Sequence, residues 1–124
     1  MEKKRPMHLD LLTIKFPLTA IASILHRLSG FVIFFLIPLS LSVLQLSLSS
    51  AVGFASVANY LHRPMIKLTT WVFVIALTYH LLAGIRHLFS DFVVADTLPI
   101  ARRTAIVVFM LTIVVAVLLG YWLW

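Results

Sequence analysis

The side chains able to do chemistry in this 124-residue chain fall in two short stretches, "TAIASILHRLSG" (residues 19–30) and "TYHLLAGIRHLFSD" (residues 78–91). The first carries Ser23, His26 and Arg27; the second carries His80, Arg86, His87 and Asp91. At 100° per residue on a helix, Gly84 falls about 40° from His80 and His87 about 20° to the other side, so the three share one face. His87 lies roughly 10 Å along the axis from His80, too far for both to bind one iron, while His80 sits roughly 13 Å in from Phe89. A neutral imidazole beside a side-chain-free notch at Gly84 suits a flat macrocycle, with His80 as an axial ligand to haem iron. A cationic or hydrogen-bonding group at the level of His87 suits propionates at the aqueous edge. The competing assignment for His80 is a histidine satisfied by a neighbouring helix. Ser23 and Arg27, four residues apart, bring a hydroxyl and a permanent cation to one face. Such a pair suits a quinone, an apolar ligand whose carbonyl oxygens gain negative charge on reduction. Its rival has Arg27 reaching out to lipid phosphate and Ser23 bonding back to its own helix.

The elements that must carry these residues are membrane spans. The chain is 62% hydrophobic and 11% charged, with a mean hydropathy of +1.09, too apolar for an ordinary soluble domain. Three segments meet the requirement of about 20 apolar residues: about 18–48, about 68–89 and about 101–124. The last contains "AIVVFMLTIVVAVLLGYWLW", with no ionisable group beyond the Tyr121 phenol. The fold class expected is therefore an all-α integral membrane protein of three transmembrane helices in a single domain, 1–124. Residues 1–17 form an inner segment, 49–67 an outer connection with room for a short interfacial helix, and 90–100 an inner connection. Pro17 and Pro99 stand before the first and third spans, and Pro38 lies inside the first. The opening "MEKKRP" lacks the apolar region of a cleaved signal peptide. With no cysteine, disulfides, thiolate metal sites and covalent CxxCH haem attachment are excluded within these residues.

Charge orients the spans. The chain has ten basic residues and a formal net charge of +6. Lys3, Lys4, Arg5, Lys15 and Arg27 lie at or before the start of the first span, and Arg86, Arg102 and Arg103 cluster at the second connection. Only Arg63 and Lys67 flank the first connection. The basic excess thus reports topology rather than nucleic-acid binding: N-terminus inside, C-terminus outside, with Tyr121, Trp122 and Trp124 as an interfacial anchor. In this arrangement the inner ends of the first two spans bring His26, Arg27, His80, Arg86 and His87 to one depth. Ionisable residues there face a bundle interior, a cofactor or a water-filled cavity.

The stretch "RPMHLDLLTIKFPLTAIASILHRLSG" followed by "YHLLAGIRHLFSD" resembles the larger cytochrome b membrane anchor of succinate dehydrogenase, respiratory complex II, in its proteobacterial-like form. Motif order and three-span layout match along essentially the whole chain. The resemblance implies that His80 is an axial ligand of one haem b, shared with a histidine of a second, small hydrophobic anchor subunit. It places His26, Arg27 and His87 near the haem propionates, and Ser23 and Arg27 at a ubiquinone site completed by the small anchor and an iron–sulfur subunit. Asp91 matches an acidic position near the inner surface, for which proton delivery and a surface contact are both open. The implied chain is no enzyme on its own. Succinate is oxidised on a flavoprotein subunit, and electrons reach ubiquinone through the iron–sulfur subunit, in aerobic respiration and the tricarboxylic acid cycle. Its implied location is the bacterial cytoplasmic membrane, in contact with lipid and with no nucleic-acid partner. A fumarate reductase-type anchor, and a structural or transporter membrane subunit without haem, are the alternatives.

Overall fold

The computed structural model describes residues 16–92 and 97–124, with the side chains of residues 91 and 92 left out. The segment 1–15, residues 93–96 of the expected inner connection and the Asp91 side chain therefore lie outside the described residues. Four helices make up the rest: α1 (Leu18–Ser49), α2 (Ala51–Leu61), α3 (Pro64–Phe92) and α4 (Leu98–Leu123). Helices α1, α3 and α4 are long and apolar enough to cross a membrane, so the chain is an all-α, multi-pass membrane protein.

At 1.5 Å per residue the 32 residues of α1 span roughly 48 Å, well beyond the bilayer's hydrocarbon thickness of about 30 Å. Hydroxyls along it are satisfied without water: Ser40 Oγ donates to the Leu36 carbonyl at 2.8 Å and Ser42 Oγ to the Pro38 carbonyl at 3.0 Å. Such back-bonds let serine enter an apolar helix. The 49–67 connection is more regular than a linker. Ser50 is extended, and its Oγ accepts from the Gly53 amide at 2.9 Å, capping α2. A Cβ at position 53 would run into the Leu46 carbonyl, so glycine is what lets α2 fold back on the end of α1. Helix α3 then starts at Pro64, earlier than hydropathy alone suggests, because Pro fits a first helical turn. Likewise α4 starts at Leu98 and takes Pro99 into its first turn.

Helix α3 is the central element, packed on α1 along one side and on α4 along the other. Small residues make the close approaches: Ala22, Ala83 and Ala105 are all but fully buried, as expected where lipid gives helices no hydrophobic reason to associate and close packing supplies the attraction. Tyr79, Ala83 and Val108 form the core, with Leu25, Leu82 and Phe109 against it, and the Tyr79 and Phe109 rings stack at 5.7 Å. Side chains also tie helix to helix through backbone carbonyls. Tyr79 Oη donates to Ala22 O at 2.8 Å, Trp71 Nε1 to Ala116 O at 2.9 Å, and Lys67 Nζ to Leu123 O at 2.6 Å. The lysine sits where α4 exposes unpaired carbonyls and the negative end of its dipole. Large apolar residues such as Phe31, Phe34, Leu81 and Leu118 remain exposed, facing lipid or other protein.

Candidate functional site

The N-terminal half of α1 and the C-terminal half of α3 converge on a row of three imidazoles. His26 of α1 stacks on His80 of α3, with ring centroids 4.1 Å apart and planes 17° apart. On its other side it meets His87 at 5.3 Å, tilted by 48°. His80 and His87 share a face of α3, as their spacing requires, and α1 crosses so that His26 fills the level between them. Stacked rings cannot aim their lone pairs at one point, and no cluster among the described residues could hold a bare metal ion.

His80 is held at one nitrogen. Its Nδ1 lies 3.0 Å from the His26 carbonyl and 3.2 Å from Ser29 Oγ, while Ser29 Oγ donates to the same carbonyl at 2.8 Å. A carbonyl can only accept, so that contact is a hydrogen bond when the proton sits on Nδ1, and the neutral ring then carries its lone pair on Nε2. Gly30 supplies clearance: a Cβ there would stand 2.9 Å from His80 Cε1. A histidine tethered at Nδ1 with Nε2 available is the state an axial iron ligand needs.

His26 differs. Its Nε2 is buried and has no hydrogen-bond partner among the described residues. An unsatisfied buried nitrogen costs about 1–3 kcal/mol, so a polar group from a cofactor or a partner chain would gain by meeting it. The same nitrogen lies 3.5 Å from where a Gly84 Cβ would be. The notch at Gly84, expected from spacing to admit a macrocycle, thus receives the edge of His26. The donor set, two stacked imidazoles with one tethered and the other unsatisfied, fits the haem b expected from the sequence.

Ser23 and Arg27 lie one turn apart on α1, Ser23 half-buried and Arg27 exposed. Ser29, Ser40, Ser42 and Ser49 each bond back to their own helix; among the described residues, Ser23 does not. Arg86 departs from the sequence expectation. Rather than joining the histidines it turns to α4, its Nε donating to Thr104 Oγ1 at 3.0 Å and its Nη2 to the Ala101 carbonyl at 3.1 Å. The reason is angular: Arg86 lies about 100° round the helix from His87, which points it toward the α4 side.

Ser29 and Gly30 are absent from the sequence-derived set, although a signal for them exists. Ala22, His26, Ser29 and Ile33 recur at spacings of three and four, the period of one helix face, and Ala22, Ser29 and Ile33 are all buried.

A family model described as "Succinate dehydrogenase/Fumarate reductase transmembrane subunit" matches residues 1–119. A curated protein of Coxiella burnetii (strain RSA 493 / Nine Mile phase I), named "Succinate dehydrogenase cytochrome b556 subunit", is 42% identical over 125 residues, covering 100% of each chain.

Proposed function

The chain belongs to the succinate dehydrogenase/fumarate reductase transmembrane subunit family, and from that premise we propose that it is the haem b-binding anchor of a succinate:ubiquinone oxidoreductase. Its partners are a small hydrophobic anchor, an iron–sulfur subunit and a flavoprotein subunit in a bacterial cytoplasmic membrane. Succinate chemistry belongs to the flavoprotein; this chain supplies a membrane seat and part of the quinone site. When bound, haem b supplies a one-electron carrier and ubiquinone a two-electron, two-proton acceptor.

His80 would hold the haem iron through Nε2, its ring fixed by the hydrogen bond from Nδ1 to the His26 carbonyl. A residue of the small anchor would help to hold the same haem. His26, Arg27 and His87 would meet the haem propionates, which would give the unsatisfied Nε2 of His26 a partner. Arg27 offsets charge that develops on a quinone oxygen, and Ser23 donates a hydrogen bond to a carbonyl from a hydroxyl that its own helix does not use.

The N-terminus faces inside and the C-terminus outside. Supporting this is the distribution of basic residues: Arg63 and Lys67 flank the 49–67 connection, while Arg27, Arg86, Arg102 and Arg103 lie toward the opposite ends of the helices, where the positive-inside rule puts the excess.

The observation that carries the proposal is the tethered Nδ1 of His80, which leaves Nε2 for iron. It is tested by the reduced-minus-oxidised optical spectrum of the assembled complex. The native complex should show a b-type band that His80→Ala abolishes or grossly perturbs. A band untouched by that substitution would exclude His80 as a ligand.

A further inference from the structure

We propose that Ser29 and Gly30 are positioning residues for His80, forming a socket in one turn of α1 that fixes the imidazole and sets how strongly its Nε2 donates to iron. The proposal rests on the haem assignment above and extends it to two residues that touch neither haem nor quinone in that assignment.

The ring is held on three sides from residues 26–30. His26 covers one face at 4.1 Å. The Gly30 backbone meets the Cε1 edge so closely that a Cβ would come to 2.9 Å of Cε1 and 3.4 Å of Nδ1. The third side is the Nδ1–H, shared between the His26 carbonyl at 3.0 Å and Ser29 Oγ at 3.2 Å. Ser29 has already committed its own proton to that carbonyl, so toward Nδ1–H its oxygen can only accept. It is buried, with 7% of its surface exposed. Two acceptors on one N–H draw the imidazole toward imidazolate character and raise the basicity of Nε2. A more basic axial ligand favours the more oxidised iron, so this socket holds the haem potential down.

Ser29 and Gly30 act through different contacts, which separates their effects. Ser29→Ala removes one acceptor without adding bulk, so haem content should stay native while the midpoint potential rises. Ser29→Thr keeps a hydroxyl that can bond back along the helix and should restore the native potential. Gly30→Ala forces the ring off its seat and should lower bound haem per complex.

The test is a redox titration of the purified, assembled complex followed at the b-type band, with haem quantified per complex. A raised potential in Ser29→Ala, reversed in Ser29→Thr, supports the socket. Loss of haem in Ser29→Ala would overturn the separation of roles between Ser29 and Gly30. The socket is refuted by a native potential in Ser29→Ala at full haem content, by Ser29→Thr behaving like Ser29→Ala, or by Gly30→Ala keeping native haem content and potential. A native complex without any b-type band would overturn the haem assignment itself, a failure distinct from these.

Discussion

The His26 imidazole lies face to face with that of His80, centroids 4.1 Å apart, while the His26 backbone carbonyl accepts from His80 Nδ1. One residue of α1 thus contacts the α3 histidine twice, once through its ring and once through its main chain. The two contacts can be separated by mutation.

His26→Ala deletes the ring but keeps the carbonyl. The tether on His80 survives, so the b-type band should persist at ambient temperature. What is lost is the stacked neighbour, on the order of 0.5–1.5 kcal/mol for such a ring pair, and the packing over Gly84. Haem should be released several degrees lower on heating, followed by the loss of the band during a temperature ramp. A band missing at ambient temperature would mean that the side chain, not the carbonyl, secures His80.

Arg27 is exposed on α1, so replacing it should not disturb the helix bundle. Arg27→Ala should cut quinone reduction about a hundredfold, the scale for removing one preorganised donor of this kind. Succinate oxidation with an artificial electron acceptor should be unaffected. Arg27→Lys should recover only part, since an ammonium lacks the planar fork of a guanidinium. Steady-state assays with both acceptors decide the matter, and normal quinone turnover in Arg27→Ala would remove Arg27 from the site.

Tyr79→Phe removes a buried hydroxyl that donates to Ala22 O at 2.8 Å and leaves the stack on Phe109. Interhelical hydrogen bonds in membranes average about 0.6 kcal/mol and reach about 1.7, so the loss should stay within that range. Thermal denaturation of the detergent-solubilised complex should show a small drop in midpoint with the optical spectrum unchanged. A collapse of the complex would show that this bond, rather than the small-residue packing of Ala22 and Ala83, holds α1 on α3.

Much of the site is legible from residue types and spacing. His80 and His87 share a face of α3 because seven residues make nearly two whole turns, and Ser23 and Arg27 stand one turn apart for a similar reason. The apolar runs give three helices long enough to span, since the length of such a run is a one-dimensional property. Other features had weaker signals. The helix α2 within the 49–67 connection depends on Ser50 as a cap and Gly53 as a point of close approach, features too local to stand out in a hydropathy profile. Arg86 read as part of the histidine cluster because depth is legible from sequence, whereas the partner toward which a side chain turns is not.

The sequence by itself determined the number of spans, the depth of each polar residue and the angle between residues on the same helix, because a helix converts spacing into position by a fixed geometry. Only the tertiary structure decided which face of α1 meets which face of α3. From that one choice follow His26 filling the notch at Gly84, Ser29 and its carbonyl tethering His80, Gly30 giving the ring its clearance, and Arg86 turning to Thr104. Helices in lipid associate through close packing and hydrogen bonds between particular pairs of surfaces, and a pairwise preference is not a property of either segment alone.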